Sequence, residues 1–249
     1  MSRTEMIFSE RRRDKTHLAI QNSLLSLLPH AVLEHRFSTI NRIADVALLP
    51  QKIIFEIQCS PITLEEVKNR YQAYGSLGFT VIWILHDQKF NRKIASTAER
   101  YMRRHLAYFT SITPFGQGFF YDQLEFFEGV CRLYKSPPYV LEHFLPQHLL
   151  TIPSRFPHIL KEKLSTCPYY LRGDLTDSLL KSPQMQWARL LEKNYLPTPI
   201  KKLLKLYRDF FLYLLHLNAD RSPPSSEHRS EAKKNIEKPL NKGQNKPLL

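Results

Sequence analysis

Two acidic residues, Asp45 and Glu56, stand in two apolar runs that are typical of neighbouring β-strands. The runs cover residues 42–49 and 53–60, and a proline and a glutamine between them predict a two-residue hairpin loop. Counting back from that loop places Asp45 directly opposite Glu56, with both side chains on one face and roughly 5 Å apart. A buried carboxylate is costly unless it meets a partner or a metal ion, so this pair predicts a functional site.

Gln58 follows Glu56 by two positions and shares its face of the strand, so two carboxylates and an amide converge. An acidic residue on one strand, followed by Asp/Glu-x-Lys on its hairpin partner, is the pattern of the PD-(D/E)xK nuclease fold, with glutamine here in the lysine position. Together with the flanking segments, this pattern closely resembles the nuclease domain of the bacterial competence protein CoiA family over roughly residues 10–90. The residues and segments that carry the resemblance are His17, Glu34, 42–46, 55–60, Arg70, Tyr74 and 81–85.

The resemblance implies both a fold and an activity. The fold is α/β, with a restriction-endonuclease-like core in which helices flank a mixed sheet. The activity is that of a metal-dependent DNA nuclease, which hydrolyses phosphodiester bonds during DNA uptake (competence and transformation) or DNA recombination. The chain departs from the family in one respect, because that family usually carries a cysteine-rich, zinc-finger-like segment before the nuclease core, and we expect no room for one here.

Phosphodiester hydrolysis explains why carboxylates at such a site need a cation. Alone they would repel the polyanionic substrate, whereas bound Mg²⁺ or Mn²⁺ neutralises it, lowers the pKa of the attacking water and orients the phosphate. Hard cations prefer oxygen ligands, which makes Asp45, Glu56 and the Ile57 carbonyl candidate ligands. Glu34, on the neighbouring apolar segment, would complete or extend the set. We therefore predict Mg²⁺ or Mn²⁺ as the cofactor, and Asp45, Glu56 and Gln58 as catalytic residues.

Each of these assignments has a structural alternative. Asp45 and Glu56 could instead pair with Arg42 or face the solvent. Glu34, which lies beside a histidine and an arginine, could be a surface residue. Gln58 offers only dipoles where a lysine would offer a charge, which leaves open a non-catalytic DNA-binding accessory protein that keeps the nuclease fold.

The helix predicted after the hairpin carries Arg70 and Tyr74, which lie four residues apart on one helical face. Arg70 would contact a DNA phosphate, with support from Tyr74. Alternatively, Arg70 forms an ion pair with Glu66 one turn earlier, and Tyr74 packs on the sheet. His17 and Arg42 are further supporting candidates, with a hydrogen-bonded structural role as the alternative for His17.

The basic run from Arg100 to His105 mixes cations with an aromatic ring. Such a combination suits a single-stranded DNA backbone, and we predict that Arg103 and Arg104 bind DNA; the alternative is a solvated helix face. The formal net charge of +13 and the pI near 9.7 also suit a polyanionic partner, although basic proteins without such a function are common. DNA is therefore the predicted partner, with recombination or DNA-uptake proteins as further partners.

Periodicity and turn signals predict the elements that position these residues. A capping box at residues 63–66 opens the helix that carries Arg70, and Gly78 ends it. The first six elements, in their order along the chain, match the core of the nuclease fold. The predicted elements are a helix at 12–28, strands at 31–37, 42–49 and 53–60, a helix at 63–77, a strand at 79–85, a helix at 93–106 and a hairpin within 115–134.

Composition divides the chain into three regions. Residues 1–135 are predicted to form the nuclease domain, and residues 136–218 a mainly helical region with an irregular start and helices near 177–194 and 199–217. The second of these helices is rich in aromatic residues, which leaves open a protein-interaction module. Residues 219–249 lack aromatic residues and carry a Ser/Pro-rich stretch with scattered lysines, which predicts a disordered basic tail.

The remaining sequence signals concern the compartment. Cys59, Cys131 and Cys167 are too far apart for a Cys-x-x-Cys zinc site, and their odd number argues against a disulfide framework. The charged N-terminus lacks the apolar stretch of a secretory signal. Charged residues interrupt the most apolar late stretch, residues 200–217, and exclude a membrane span there. The sequence therefore predicts a cytoplasmic protein.

Overall fold

The structure, a computed structural model, describes residues 14–182, 192–195 and 206. A short 3₁₀ turn at Ser38–Ile40 separates the first two strands. The helices are α1 (Lys15–Leu27), α2 (Leu64–Ser76), α3 (Thr97–Arg103), α4 (His158–Thr166) and α5 (Leu175–Lys181). The strands are β1 (Val32–Phe37), β2 (Arg42–Leu48), β3 (Ile53–Gln58), β4 (Thr80–His86), β5 (Ala107–Thr110), β6 (Phe120–Asp122), β7 (Glu125–Glu128), β8 (Cys131–Lys135), β9 (Tyr139–Val140), β10 (Gln147–His148) and β11 (Tyr169–Tyr170).

A seven-stranded mixed sheet, in the order β1-β2-β3-β4-β5-β6-β9, forms the centre of the fold. Strands β3, β4 and β5 are parallel, and the other neighbouring pairs in this sheet are antiparallel. Strand side chains alternate between the two faces, so Phe55 packs with α1 on one face while Ile54 packs with α2 and α3 on the other. The predicted α/β class, a mixed sheet flanked by helices, is therefore confirmed.

The β2–β3 hairpin has the register that the sequence predicts. Lys52 closes the turn with a left-handed backbone (φ 54°), and its amide donates to the Leu49 carbonyl at 3.2 Å. One position beyond the pair of Val46 and Phe55, the same register places Asp45 beside Glu56. The paired residues are Val46 with Phe55, Ala47 with Ile54 and Leu48 with Ile53.

Helix α2 begins and ends at the predicted signals. The Thr63 side chain accepts a hydrogen bond from the Glu66 amide at 3.2 Å, which satisfies one of the free donors of the first turn. After the helix, Gly78 adopts a left-handed φ of 77°, a conformation that costs glycine nothing. The helix therefore presents the face that carries Arg70 and Tyr74 to the sheet.

Helix α3 is shorter than the predicted helix at 93–106. Ser96 caps it, because its side chain accepts from the Glu99 amide at 3.0 Å. The residues just before the cap pair with the β7–β8 hairpin instead of extending the helix. The amide of Ala95 donates to Val130 at 2.9 Å, and the amide of Arg132 donates to Lys93 at 2.7 Å. Long-range pairing therefore overrides the local helical pattern.

The region beyond residue 135 is described to residue 182, and it joins the sheet and the core already formed. Strand β9 extends the sheet by pairing with β6, and Leu141, Phe144 and Leu171 pack into the core beside α1. Helix α4 was not predicted, and α5 covers the start of the predicted helix at 177–194. The predicted helix at 199–217, apart from residue 206, and the predicted tail at 219–249 lie outside the described residues.

A membrane-spanning helix is not found among the described residues, because none of their helices is both long enough and apolar enough.

Candidate active site

Asp45 and Glu56 lie side by side at the centre of the candidate site. The Ile57 amide, one residue beyond Glu56, donates to Asp45 Oδ2 at 2.7 Å. This bond ties the carboxylate on β2 to the strand that carries the second carboxylate. The Asp45 side chain keeps 22% of its surface exposed, whereas the Glu56 side chain is completely buried. A substrate would therefore reach Asp45 first and Glu56 only through the site.

The two oxygens of Glu56 have different surroundings. Oε2 accepts a hydrogen bond from Arg70 Nη1, within an ion pair. Oε1 is buried and has no hydrogen-bond partner among the described residues. Burial raises the pKa of Glu56 to about 7, and the nearby Asp45 charge adds to this, while Arg70 opposes it. Near neutral pH this carboxyl group therefore gains or loses a proton easily.

Helix α1, which packs on the face of the sheet opposite to α2, supports Asp45. His17 Nε2 lies 3.3 Å from Asp45 Oδ1. One turn later in the helix, the side-chain amide of Gln21 donates to the Asp45 backbone carbonyl at 3.2 Å. Burial lowers the pKa of His17, but the hydrogen bond and charge of Asp45 outweigh burial, and the pKa lies above its ordinary value of 6.5. His17 therefore lies beside Asp45, and its supporting role in the site stays a prediction.

A chain of alternating charges leads from Glu56 to the surface. Arg70 Nε donates to Glu66 Oε1 at 2.9 Å, and Arg42 Nη1 donates to the same oxygen at 2.6 Å. The hydrogen bond from Arg42 lowers the pKa of Glu66; burial opposes this effect and Arg70 reinforces it. Arg42 therefore binds Glu66, and the alternative in which it pairs with Asp45 or Glu56 is wrong.

Aromatic side chains surround the Arg70–Glu56 pair. Trp83 on β4 is the in-register neighbour of Glu56, and Arg70 Cζ lies 5.8 Å from the centre of its ring, a favourable cation–π distance. Tyr74 is fully buried, and neither its hydroxyl nor Oε1 of Glu56 has a partner with good hydrogen-bond geometry among the described residues. Burial raises the pKa of Tyr74, as does the charge of Glu56. The two side chains are nevertheless close enough that Tyr74 in turn lowers the pKa of Glu56. The sequence analysis did not single out Trp83, because nothing in its apolar strand distinguishes it from its neighbours.

Gln58 lies on the same strand as Glu56, but its side-chain amide donates to Ser60 and to neither carboxylate. Gln58 Nε2 donates to the Ser60 carbonyl at 2.6 Å and lies 3.3 Å from the Ser60 hydroxyl. Both contacts lie at the end of the strand. The donor that the sequence assigned to catalysis is therefore used to hold the exit of β3.

The side chain of Arg103 is nearly buried in ion pairs, which argues against its predicted binding to DNA. Only 8% of its side chain is exposed, and it forms ion pairs with Asp122 and Glu125, each at 2.8 Å. Its remaining hydrogen bonds are to the carbonyls of Ala107 and Gln123. Four of the five N–H groups of this guanidinium group are therefore used within the protein, which leaves at most one for a phosphate. Arg104 is exposed, and its role in DNA binding stays a prediction.

Arg103 belongs to a buried charged network that sequence reasoning missed. Arg132 on β8 pairs with Glu125 at 2.8 Å and with Glu99 at 2.5 Å, and these side chains are nearly inaccessible. The network joins α3 to strand residues that lie 19 to 33 positions later in the chain. The spacing of residues within the basic run does not indicate these distant acidic partners. The run taken alone is therefore typical of an exposed helix face.

A divalent cation at this site would be held by two carboxylates and not by a larger set of protein ligands. Among the described residues, no three His, Cys, Asp or Glu side chains are grouped as a metal site. Mg²⁺ commonly keeps several waters and binds through one or two carboxylates, and the buried, unpartnered Oε1 of Glu56 beside Asp45 suits that mode. Glu34 is partly buried on β1 with a left-handed φ of 51°. Its place in the ligand set stays a prediction.

Residues 15–126 match the model of the family described as competence protein CoiA, nuclease-like domain. The matched segment begins with α1 and ends in β7, so it contains Asp45, Glu56, Arg70 and their supports. Comparisons with curated proteins and with solved structures gave no match. The family match confirms the resemblance that the sequence motifs indicated. This segment of the chain is therefore a CoiA-like nuclease-like domain.

Proposed function

We propose that this protein is a DNA nuclease that depends on Mg²⁺ or Mn²⁺ and acts in DNA uptake or recombination. One observation carries the proposal: a completely buried glutamate, with one oxygen unpartnered, lies beside a second, accessible carboxylate. Burying two acids together is unfavourable unless a cation compensates them. The membership of the segment in a nuclease-like family agrees with this reading.

Asp45 and Glu56 would hold the metal ion, with the Ile57 carbonyl as a further oxygen ligand. When bound, the ion would neutralise the phosphate, lower the pKa of the attacking water and orient the substrate. The protein's own contribution is to fix the two carboxylates before substrate arrives. The Ile57 amide and His17 orient Asp45, and the surrounding core keeps water from Glu56.

DNA is the proposed substrate and the cytoplasm the proposed compartment. The net charge of +13 favours a polyanion, and electrostatic binding of this kind weakens as salt rises, because bound cations displace counterions from the phosphates. Recombination or DNA-uptake proteins are proposed as further partners. The choice between single and double strands depends on the surface that surrounds Asp45.

A non-catalytic DNA-binding accessory protein is the second candidate. It is favoured by Arg70, which already compensates one oxygen of Glu56, and by Gln58, whose amide is bonded to Ser60. In that case the carboxylates would be part of an ion-pair network that stabilises the fold and has no catalytic role.

The deciding experiment incubates purified protein with labelled single- and double-stranded DNA in Mg²⁺, Mn²⁺ or EDTA. We expect cleavage with either metal ion, none in EDTA, and none in Asp45→Asn or Glu56→Gln. Glu162→Gln is the matched control, since this glutamate is exposed and pairs only with His158 among the described residues. Cleavage that persists in EDTA contradicts metal dependence, and full activity in both site variants contradicts the assigned site. Salt-sensitive binding without any cleavage would support the accessory role instead.

A further inference from the structure

A nuclease site needs positive charge where the phosphate gains negative charge. A preorganised cation in a water-poor site lowers the energy of that transition state. Gln58 cannot supply this charge, because its side chain is neutral and its amide donates to Ser60. A cation fixed at the carboxylates therefore has to come from another residue.

Arg70 is such a cation. Its guanidinium group has two anchors: Nη1 donates to Glu56 Oε2, and Nε donates to Glu66 Oε1 at 2.9 Å. The third nitrogen, Nη2, has no hydrogen bond to another described residue. The side chain keeps 27% of its surface exposed, so the group is fixed and still accessible.

The surroundings of Arg70 hold it in this position. Its guanidinium group lies over the Trp83 ring, and Glu66 is in turn bound by Arg42 at 2.6 Å. Glu66 lies in the first turn of α2, which Thr63 caps. A guanidinium group with two fixed edges and one open edge suits a phosphate oxygen, because its donors lie in one plane.

We propose that Arg70 is the residue that binds the scissile phosphate and supplies the positive charge of this site, while Gln58 is a structural residue at the end of β3. The proposal rests on the proposed nuclease function. Glu66, which binds Arg70, and Arg42, which binds Glu66, act as positioning residues, because neither touches the phosphate. Glu56 would then help to hold the metal ion while its Oε2 accepts from the guanidinium group.

The test compares Arg70→Gln, Arg70→Lys, Gln58→Lys and the double variant Arg70→Gln/Gln58→Lys. Arg92→Gln is the matched control, because this exposed arginine's side chain is bonded only to the Gln88 carbonyl among the described residues. The measurements are kcat and KM with Mg²⁺, DNA affinity in EDTA by fluorescence anisotropy, and thermal stability of each variant. The anisotropy readout does not depend on catalysis.

We expect Arg70→Gln to lower kcat by about 100- to 1,000-fold, as loss of one preorganised donor does elsewhere. DNA affinity in EDTA should change by about threefold or less, because one cation among many is lost. Arg70→Lys should keep more activity than Arg70→Gln. In the double variant, a lysine at position 58 should restore kcat by about tenfold or more over Arg70→Gln, because it returns a charge to the same strand face.

A kcat of folded Arg70→Gln equal to that of Arg92→Gln would overturn the assignment of Arg70. Absence of any recovery in the double variant, with Arg70→Lys as inactive as Arg70→Gln, would also overturn it. If Arg70→Gln does not fold, Arg70→Lys decides, since it keeps the charge: activity within about tenfold of the natural protein supports the proposal, and a larger loss rejects it. A natural protein that cleaves no DNA would reject the nuclease function itself, and this assignment with it.

Discussion

The Ile57 amide donates a 2.7 Å hydrogen bond to the carboxylate of Asp45, at a position where a strand would ordinarily bond to its neighbour's backbone. The bond sets one acidic side chain against the strand that carries the other. It also gives Asp45 a structural role, because the bond joins the two strands beyond their last paired residues, Val46 and Phe55. Its two roles, in folding and in the site, are therefore separable by substitution.

Asp45→Asn should fold almost normally, because its amide oxygen still accepts from Ile57. Asp45→Ala should lower the free energy of unfolding by about 1–2 kcal/mol, since a partly buried donor loses its acceptor. Urea unfolding of both variants measures the difference. Equal stability of the two variants would show that water satisfies the Ile57 amide and that the bond contributes little.

The pH dependence of stability should report the burial of Glu56. Its pKa is raised from 4.5 to about 7 in the folded protein, so the folded state binds this proton more tightly than the unfolded state does. The stabilisation is fully present below pH 4.5 and is lost as the pH rises through 7. His17, whose pKa is raised above 6.5, contributes in the same direction. Stability in EDTA should therefore fall between pH 5 and pH 8.

Glu56→Gln removes the Glu56 part of this dependence. We expect the Tm of the variant minus that of the natural protein to increase from pH 5 to pH 8, by on the order of 5 °C. The comparison uses the change with pH, because the pKa of about 7 for Glu56 already includes the effect of its ion pair with Arg70. Glu162→Gln should show no such trend. A Tm difference that is constant across the range would contradict a raised pKa at Glu56.

Divalent cations should stabilise the natural protein in the absence of DNA. At pH 8, a concentration of Mg²⁺ or Mn²⁺ about a hundred times the Kd would add about 2.7 kcal/mol to the free energy of unfolding. The increase in Tm should be smaller at pH 5.5, because Glu56 is then protonated. Asp45→Asn and Glu56→Gln should lose the increase, while Glu162→Gln keeps it. The same increase in all four proteins would locate the cation elsewhere.

Gln58→Ala should keep its kcat within about threefold of the natural value, whereas loss of a donor to the transition state costs about 100-fold or more. The reason is that the Gln58 amide is bonded to Ser60. Single-turnover cleavage in Mg²⁺ gives the rate, and a small loss of thermal stability is expected from the freed Ser60 carbonyl. A rate lowered to the level of Arg70→Gln would restore Gln58 to the catalytic set.

A fragment that ends at residue 135 should fail to fold cooperatively, whereas one that ends at residue 218 should fold. The shorter fragment lacks Leu141, Phe144 and Leu171 of the core. It also lacks Asp174, which accepts from the Tyr108 hydroxyl at 3.0 Å. Each buried large side chain contributes about 2–5 kcal/mol, and a domain has only about 5–15 kcal/mol in total. Circular dichroism melting compares the fragments, and a cooperative transition in the shorter one would place a domain boundary at 135.

The sequence by itself determined the parts of this protein that short-range rules control. Period-two alternation and a two-residue loop gave the β2–β3 register, and hence the pairing of Asp45 with Glu56. A capping residue and a following glycine gave the ends of α2, and the motifs together gave the family. These features depend on residues close together in the chain, so a single sequence suffices to predict them.

Only the tertiary structure decided which side chains meet. Arg103 and Arg104 are neighbours in one basic run, but Asp122 and Glu125 bury the first while the second stays exposed. Arg70 reaches Glu56 because α2 packs against β3 and β4, and Gln58 is withdrawn because its strand ends beside Ser60. A charged side chain takes the partner that best offsets its desolvation. That partner is selected by packing between distant segments, which no local spacing records.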